Sequence, residues 1–445
     1  MLQKFIAYLR KNWGKIYFTI AIAAIIFTYG YLVGAHHKFP HSVIADAIKT
    51  YRLLKTQSKN EFPGLNPARY EGVGVVVHNT DLAYPGVTLI GSPWKDGDDW
   101  SHSLRLVGMD GKLLHKWTVE PEDIWPESPH DDLMKGAKAT KLGTHIHGTV
   151  LFPGGDIVLN MSHYALLRLN ACSEIVWTVP YRTHHSVFMD ENGNFWAPGD
   201  KWHSKPVREF PGFSPPFVED TIVQVSPDGE IIREISILES IYRSGYEGLV
   251  FSSKMEKYGG DITHNNDVEV LSTDLANDFA GLEAGDIMVS LRNISTVLII
   301  DGKTERVKWM LQHPIVRQHD PDFMEGGYIS IFDNRADPKG GNAPSFGGSR
   351  IIRVKPSTTD TEILYASNEE NYFYTRGGGK HQHLKNGNIL IGEPYAGRVF
   401  EVTKSGEVVW SWLVEHWADG DIRVSEVHDG TRYPLEYGNI PSECS

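Results

Sequence analysis

Apolar and polar positions fall into distinct textures along the chain. From Ile16 to Ala35 no residue carries a charge, and at ~1.5 Å per residue a helix of that length crosses ~30 Å of hydrocarbon. Lys4, Arg10, Lys11 and Lys15 precede this stretch, while only Lys38, with His36 and His37, follows closely. The positive-inside bias therefore predicts a cytoplasmic segment over 1–15, a membrane-spanning helix over 16–35, and everything after it outside. The apolar stretch exceeds the ~7–15-residue core of a cleaved signal peptide. Val43, Ile44, Ala47, Ile48, Tyr51 and Leu54 recur at helical spacing and predict a short amphipathic stalk helix over 42–57. Pro63, Gly64 and Pro67 mark a linker, so 36–70 is read as stalk helix and linker.

After residue 70 the texture changes to short apolar runs broken by turn residues, and it repeats. One part of each unit is a strand ending in a tight glycine turn. His147, His185 and His319 each stand eight residues before such a glycine, Gly155, Gly193 and Gly327. The other part is a hairpin that usually closes on an aromatic: Leu104 to Trp117, Ala165 to Trp177, Thr221 to Ile237, Thr296 to Trp309, Ser349 to Tyr365 and Arg398 to Trp410. Asp110-Gly111, Asp228-Gly229, Asp301-Gly302 and Ser405-Gly406 supply the turn chemistry at four tips. Six units of about four strands predict an all-β fold, a six-bladed β-propeller over 71–445 with a C-terminal tail, preceded by the one transmembrane helix.

In that fold the first strand of every blade lines the central channel, so residues that open these strands converge. His147, His185, His264 and His319 open units two to five, and His381 with His383 opens the sixth; unit one, from about Gly86 to Val119, has no such histidine. A lone histidine at such a place is ordinarily a satisfied structural group. Histidine at one position in five of six units, in a chain with 20 histidines among 445 residues, points to function. Neutral imidazoles in a ring can ligate a transition metal. Alternatively, one imidazole is a nucleophile while cationic neighbours hold an anionic group in transfer.

Composition narrows the partners. A formal charge of −13 argues against nucleic acid, which needs a basic face. With 43 glycines and 12 tryptophans the chain has the turns and the aromatic-filled sheet interfaces of an all-β protein. Cys172 and Cys444, placed outside the membrane, either pair or remain two thiols.

The run Ala83 to Ile90 followed by Leu104 to Trp117 resembles the entry to the arylsulfotransferase family. Thr263-His264-Asn265-Asn266 with Asp286 to Asn293 is similar to its first histidine motif, and Gln318-His319 followed by Ile331 to Asn334 to its second. Gly387 to Ile391 with Gly397 to Trp410 resembles its last blade, so the likeness covers about residues 71–415. This resemblance implies transfer of a sulfuryl group from an aryl sulfate to a phenol through a histidine, with no nucleotide sulfate donor and no cofactor. It makes His264 and His319 supporting histidines and places the nucleophile on the following inner strand, at His381 or His383. Strand alternation puts both of those on one face. The family's arginine after Phe-Asp-Asn corresponds most nearly to Arg335, with Arg376 and Arg292 as substitutes. His147, His185, Asn266, Asn334, Arg376 and Tyr374, the last in an aromatic cluster with Tyr372, are the expected substrate-binding residues. Three functions follow: an arylsulfotransferase-like enzyme anchored in the inner membrane and facing the periplasm, a metal-dependent propeller oxidoreductase with axial histidine ligands, and a non-catalytic propeller docking partners in a membrane complex.

Overall fold

The computed structural model describes residues 2–35, 40, 65–96, 99–130, 145–251, 260–337, 345–369, 371–419 and 421–441. The stalk helix expected over 42–57 and Cys444 lie outside the described residues. The chain divides into two compact units, 1–63 and 64–445.

In the first unit one helix runs from Leu2 to Ala35, so the basic segment before Ile16 is helical too. Its Arg10–Gly34 portion is long and apolar enough to cross a membrane, a property that a membrane span and a signal sequence share.

The second unit is built of antiparallel sheets, numbered I to VI here in the order of their outer hairpins. Sheet II comprises Ile146–Leu151, Ile157–Met161, Ala165–Leu169 and Ile175–Val179. Sheet III comprises Phe188–Met189, Phe195–His203, Phe217–Val225 and Ile231–Ser236. Sheet IV holds Asn265–Val270, Ile287–Leu291, Thr296–Ile300 and Val307–Leu311, and sheet V holds His319–Met324, Tyr328–Asp333, Arg350–Val354 and Thr361–Ala366. Sheet VI holds Lys380–His383, Ile389–Glu393, Arg398–Val402 and Val408–Leu413, with Gly74–His78 added at its outer edge. Sheet I takes Val87–Asp96, Asp99–Val107 and Leu113–Thr118 from the start of the unit and its innermost strand, Asp429–Tyr433, from the other end of the chain. A small further sheet pairs Asn66–Pro67, Asp421–Val424 and His416–Asp419. The six first strands touch one another in sequence and the last touches the first, which makes the fold a β-propeller around a closed channel.

Local chemistry explains the units. All six outer hairpins have a register shift between their two strands, a bulge that adds twist where each sheet must splay from the axis. Gly111, Gly229 and Gly406 turn three of these hairpins with positive φ. At Asp301-Gly302 the left-handed residue is Glu305 instead, and the glycine is needed because a Cβ there would sit 2.0 Å from the carbonyl oxygen of Gly285. Second strands such as Ile157–Met161, Ile287–Leu291 and Ile389–Glu393 are buried throughout, which accounts for their nearly unbroken apolar runs.

The hydrophobic core is divided among the gaps between adjacent sheets. Leu89, Trp117, Leu159 and Leu167 fill the gap between I and II, Val158, Phe195 and Val223 that between II and III, and Ile222, Ile235, Val289 and Leu298 that between III and IV. Ile299, Ile331 and Ile352 follow between IV and V, then Phe332, Phe373 and Phe400 between V and VI. Ile90, Trp94, Val399 and Trp412 close the circuit between VI and I.

The expectation that the first repeat, from about Gly86 to Val119, lacks an axial histidine is corrected by this closure. Its innermost strand comes from the presumed C-terminal tail, directly after His428. Arg432 anchors that strand. Its guanidinium is buried against Glu401 at 3.3 Å, donates to Thr88 Oγ1 at 2.8 Å and to the Tyr84 carbonyl, and stacks 4.6 Å from the Trp410 ring. Its backbone N–H donates to Gln382 Oε1 at 2.8 Å. Replacing Arg432 with Met strands the fully buried Glu401 carboxylate; the expected loss is about 3–5 kcal/mol, read as a lower urea midpoint of the full chain in detergent. Arg432→Met combined with Glu401→Leu is expected to recover part of it.

Candidate functional site in the propeller channel

Innermost strands begin, and second strands end, at the same mouth of the channel, so the loops there meet around the axis. Among the described residues, ten that are not glycine have positive φ; Ser173, Glu305 and Thr359 sit at outer hairpin tips, and the other seven, His163, His185, His264, Ser295, Arg317, Asp320 and Arg335, belong to these axial segments. Left-handed backbone at a non-glycine residue costs of order 1–3 kcal/mol and persists where the surroundings impose it. The conformation is concentrated where the histidines are aimed.

The imidazoles form a continuous array. Ring centres lie 5.2 Å apart for His145 and His428, 5.5 Å for His428 and His147, 4.7 Å for His147 and His185, and 4.9 Å for His185 and His264. His102 joins at 5.9 Å from His145, and His184 at 5.0 Å from His185. Burial, reinforced by the neighbouring rings, holds these groups neutral. His145 is lowered to about 4 and His184 to about 3, and His102, His147, His185 and His428 all fall well below the ordinary histidine value. His319 is lowered to about 3 by burial and by the charge of Arg292.

Two of these histidines are fixed by specific partners. His319 Nδ1 bonds Asn334 Oδ1 at 2.7 Å, its Nε2 accepts from the Gly378 N–H at 3.1 Å, and the Asn334 amide is anchored on the carbonyls of Thr375 and Gly378. His264 Nδ1 lies 2.5 Å from Asp261 Oδ2, whereas its Nε2 has no hydrogen-bond partner among the described residues. Burial and then Arg292 lower the His264 pKa against the pull of Asp261. Burial opposes the Asp261 charge, yet the hydrogen bond and charge of His264 and the Arg292 guanidinium leave that carboxyl below its ordinary value. Nearby Asp220, buried and facing the Asp261 charge, is pushed well above the carboxylate range.

Along the first strands, a cavity of about 150 Å³ is lined by His147, His185, His319 and His428 together with Asp267, Glu269, Asp320, Asp322 and Asp429. Burial and then the charge of Asp320 push Asp267 and Asp322 well above their ordinary values. Burial raises Glu269 to about 7. Lys380 lines the same cavity 3.5 Å from Asp429. Burial works against its charge, but Asp429 and Asp320 outweigh that and keep its pKa above the ordinary lysine value.

The expected site residues divide accordingly. His147, His185, His319 and Asn266 line the cavity, and His264 adjoins His185. Asn334 positions His319. His381 and His383 share a face, as alternation requires, but it faces sheet V: Ser330 Oγ lies 2.6 Å from His381 Nε2 and 2.9 Å from His383 Nε2. Arg335 leans toward Gly347. Arg376 stacks on Tyr395, with 4.6 Å between the guanidinium carbon and the ring centre. Tyr374 is fully buried, its backbone N–H donating to Glu393 Oε1 at 3.1 Å. Sequence reasoning missed His102, His145, His184, His428, Asp261, Lys380 and the carboxylate wall. The alternations Asp267-Val268-Glu269 and Asp320-Pro321-Asp322 on channel strands were the legible signal for the last of these.

Cys172 is disulfide-bonded, its N–H held by Asn170 Oδ1 at 2.9 Å.

The buried neutral imidazoles make the fold acid-sensitive. A histidine whose folded pKa lies below its unfolded value binds fewer protons in the native state, so its contribution is intact above the unfolded pKa and is lost as pH falls below it. For His184 and His319, both lowered to about 3, the expected loss between pH 7 and pH 5 is about 2 kcal/mol each. Urea melts of the full chain at those two pH values measure it, and His184→Gln is expected to flatten the dependence.

Residues 148–415 match the arylsulfotransferase (ASST) family model. No curated protein sequence matches the chain. Among solved structures, a protein of unknown function from Bacteroides caccae is 12% identical, with TM-score 0.43, covering 78% of this chain and 100% of that one. Hydrazine synthase from Kuenenia stuttgartiensis is 11% identical, with TM-score 0.40 and coverage of 68% and 71%. A streptogramin B lyase is 9% identical, with TM-score 0.40 and coverage of 77% and 97%. The matched segment takes in sheets III to V whole, the axial histidines from His185 to His383 and more than half of the chain, which therefore belongs to the arylsulfotransferase family.

Proposed function

We propose that the protein moves a sulfuryl group from an aryl sulfate to a phenol, with His264 as the group carrier. The observation that carries this assignment is the state of its ring: Asp261 fixes the tautomer at Nδ1, and Nε2, a buried atom that the donor must reach by displacing its neighbours, has no partner among the described residues. The same geometry argues against His381 and His383, whose Nε2 atoms are both engaged by Ser330.

In the first half-reaction the Nε2 lone pair attacks the sulfur of the aryl sulfate. The N–S bond forms, the sulfur–oxygen bond to the aryl group breaks, and the electron pair leaves with the aryl oxide. In the second, the oxygen of an acceptor phenol attacks the same sulfur, the N–S bond breaks with its pair returning to Nε2, and the phenolic proton passes to solvent. Asp261 stabilises the imidazolium character that develops in between. Arg292, whose charge acts on both His264 and His319, stabilises the equatorial sulfuryl oxygens. His319, held by Asn334 and Gly378, is a positioning residue. The N-terminal helix supports the further reading that the propeller is held at the inner membrane and works in the periplasm.

Mass spectrometry after brief exposure to a chromogenic aryl sulfate is expected to find a sulfonated histidine at position 264. His264→Ala should abolish release of the chromophore, and Asp261→Asn should lower kcat by about 10²-fold or more, the scale of a lost acid–base partner. A sulfonated ring at His381 or His383, or unchanged turnover in His264→Ala, would overturn the assignment. Because the reactive form is the neutral ring and its pKa lies below the ordinary histidine value, kcat/KM should hold level as pH falls to 6.5 and decline only at lower pH.

A further inference from the structure

One wall of the channel has no role in sulfuryl transfer and is ill suited to an anion. Three neighbouring first strands carry Asp267 and Glu269 in sheet IV, Asp320 and Asp322 in sheet V, and His381 in sheet VI, and the four carboxylates line the channel cavity. The ligand-capable atoms of Asp320, Asp322 and His381 all lie within 4.8 Å of one another. His381 Nδ1 is 2.8 Å from Asp320 Oδ2, and its Nε2 is 3.4 Å from Asp322 Oδ2. Glu269 Oε2 accepts from the Phe323 N–H at 3.0 Å, which holds it beside Asp322. Among the residues lining the cavity, Lys380 is the one lysine or arginine against five carboxylates.

A second observation is independent of the acidic groups. Asn266 lines the same cavity and is 4% exposed, and its Nδ2 donates to the Gln318 carbonyl at 2.9 Å. That bond fixes the amide orientation. Its Oδ1 is then a buried acceptor with no partner among the described residues. A buried amide oxygen without a donor is costly in a finished structure, and it is the kind of neutral oxygen that a metal ion accepts as a ligand.

We infer that Asp320, Asp322 and His381 bind a divalent cation in the channel, with Asn266, Asp267 and Glu269 completing its surroundings. Carboxylate oxygens with one imidazole and one amide oxygen form a mixed, mainly hard donor set that suits Mn²⁺ better than thiolate-seeking ions. The site goes beyond the sulfuryl-transfer reading and does not rest on it. In this assignment the turn of His381 toward sheet V serves ligation.

The test uses the full chain in detergent, stripped with a chelator and titrated with Mn²⁺, with Ca²⁺ and Zn²⁺ in parallel arms. Binding is followed by electron paramagnetic resonance of the free ion, by calorimetry and by thermal melting. The expected result is saturable uptake of one Mn²⁺ per chain with a rise in melting temperature. The Asp320→Asn/Asp322→Asn double variant should bind about 10-fold more weakly or worse. Without metal it should still melt in one cooperative transition, and that measurement shows that the variant folds. Asn266→Leu should weaken binding while leaving the metal-free melt in place. Absence of saturable binding of all three ions to folded wild type, or equal Mn²⁺ affinity in the double variant, overturns the site. Saturation by Ca²⁺ or Zn²⁺ but not by Mn²⁺ overturns the ion class. His264→Ala should keep full Mn²⁺ uptake, so failure of the sulfuryl-transfer reading and failure of the cation site give different results.

Discussion

Every sheet in the ring has two apolar faces and can cover them only with the sheets on either side. The core is therefore six separate fillings, each shared by neighbours, from Leu89 and Leu167 round to Val399 and Ile90. The filling between VI and I is complete only when the ring closes, and closure depends on one strand, Asp429–Tyr433, crossing from the far end of the chain to sheet I. The buried Arg432–Glu401 pair fixes that strand against both sheet I and sheet VI. Ion pairs of this kind bring little net stability over an apolar filling, but they specify one partner and one register. A closing strand needs that specificity.

The same architecture sets the chemistry. Because every first strand starts at one mouth, a histidine placed before it reaches the axis whatever the sequence around it. The mouth and the cavity then differ in character. At the mouth, neutral imidazoles are backed by Asp261 and Arg292, an arrangement suited to holding a negatively charged group beside a nucleophile. Around the cavity, carboxylates crowd together with Lys380 as the one opposing cation of the lining, an arrangement that repels such a group.

Much of this was legible from the residues. The six outer hairpins were visible because buried strands read as apolar runs and their tips use residues that tolerate left-handed backbone. The axial places of His147, His185, His264 and His319 followed from strand order. Failures came where a decisive partner is remote in sequence. His428 looked like part of a tail because its strand pairs with Val87–Asp96, more than 300 residues away. Alternation showed that His381 and His383 share a face, but the identity of that face is set by Ser330 on another sheet. The cluster of Tyr372 and Tyr374 reads as a ligand wall or, more often, as packing, and Tyr374 is fully buried. Arg292 and Arg335 hold similar places in successive sheets; only the fold brings the charge of Arg292 to bear on His264 and His319.

His428 enters the array on the strand that locks the circle, and it stands 5.2 Å from His145 and 5.5 Å from His147, two rings contributed almost 300 positions earlier. The histidine array is thus completed by the same strand that completes the ring. A polypeptide still emerging from the ribosome, or cut short of its last strand, lacks both His428 and the strand that completes sheet I, so its array of rings is unfinished.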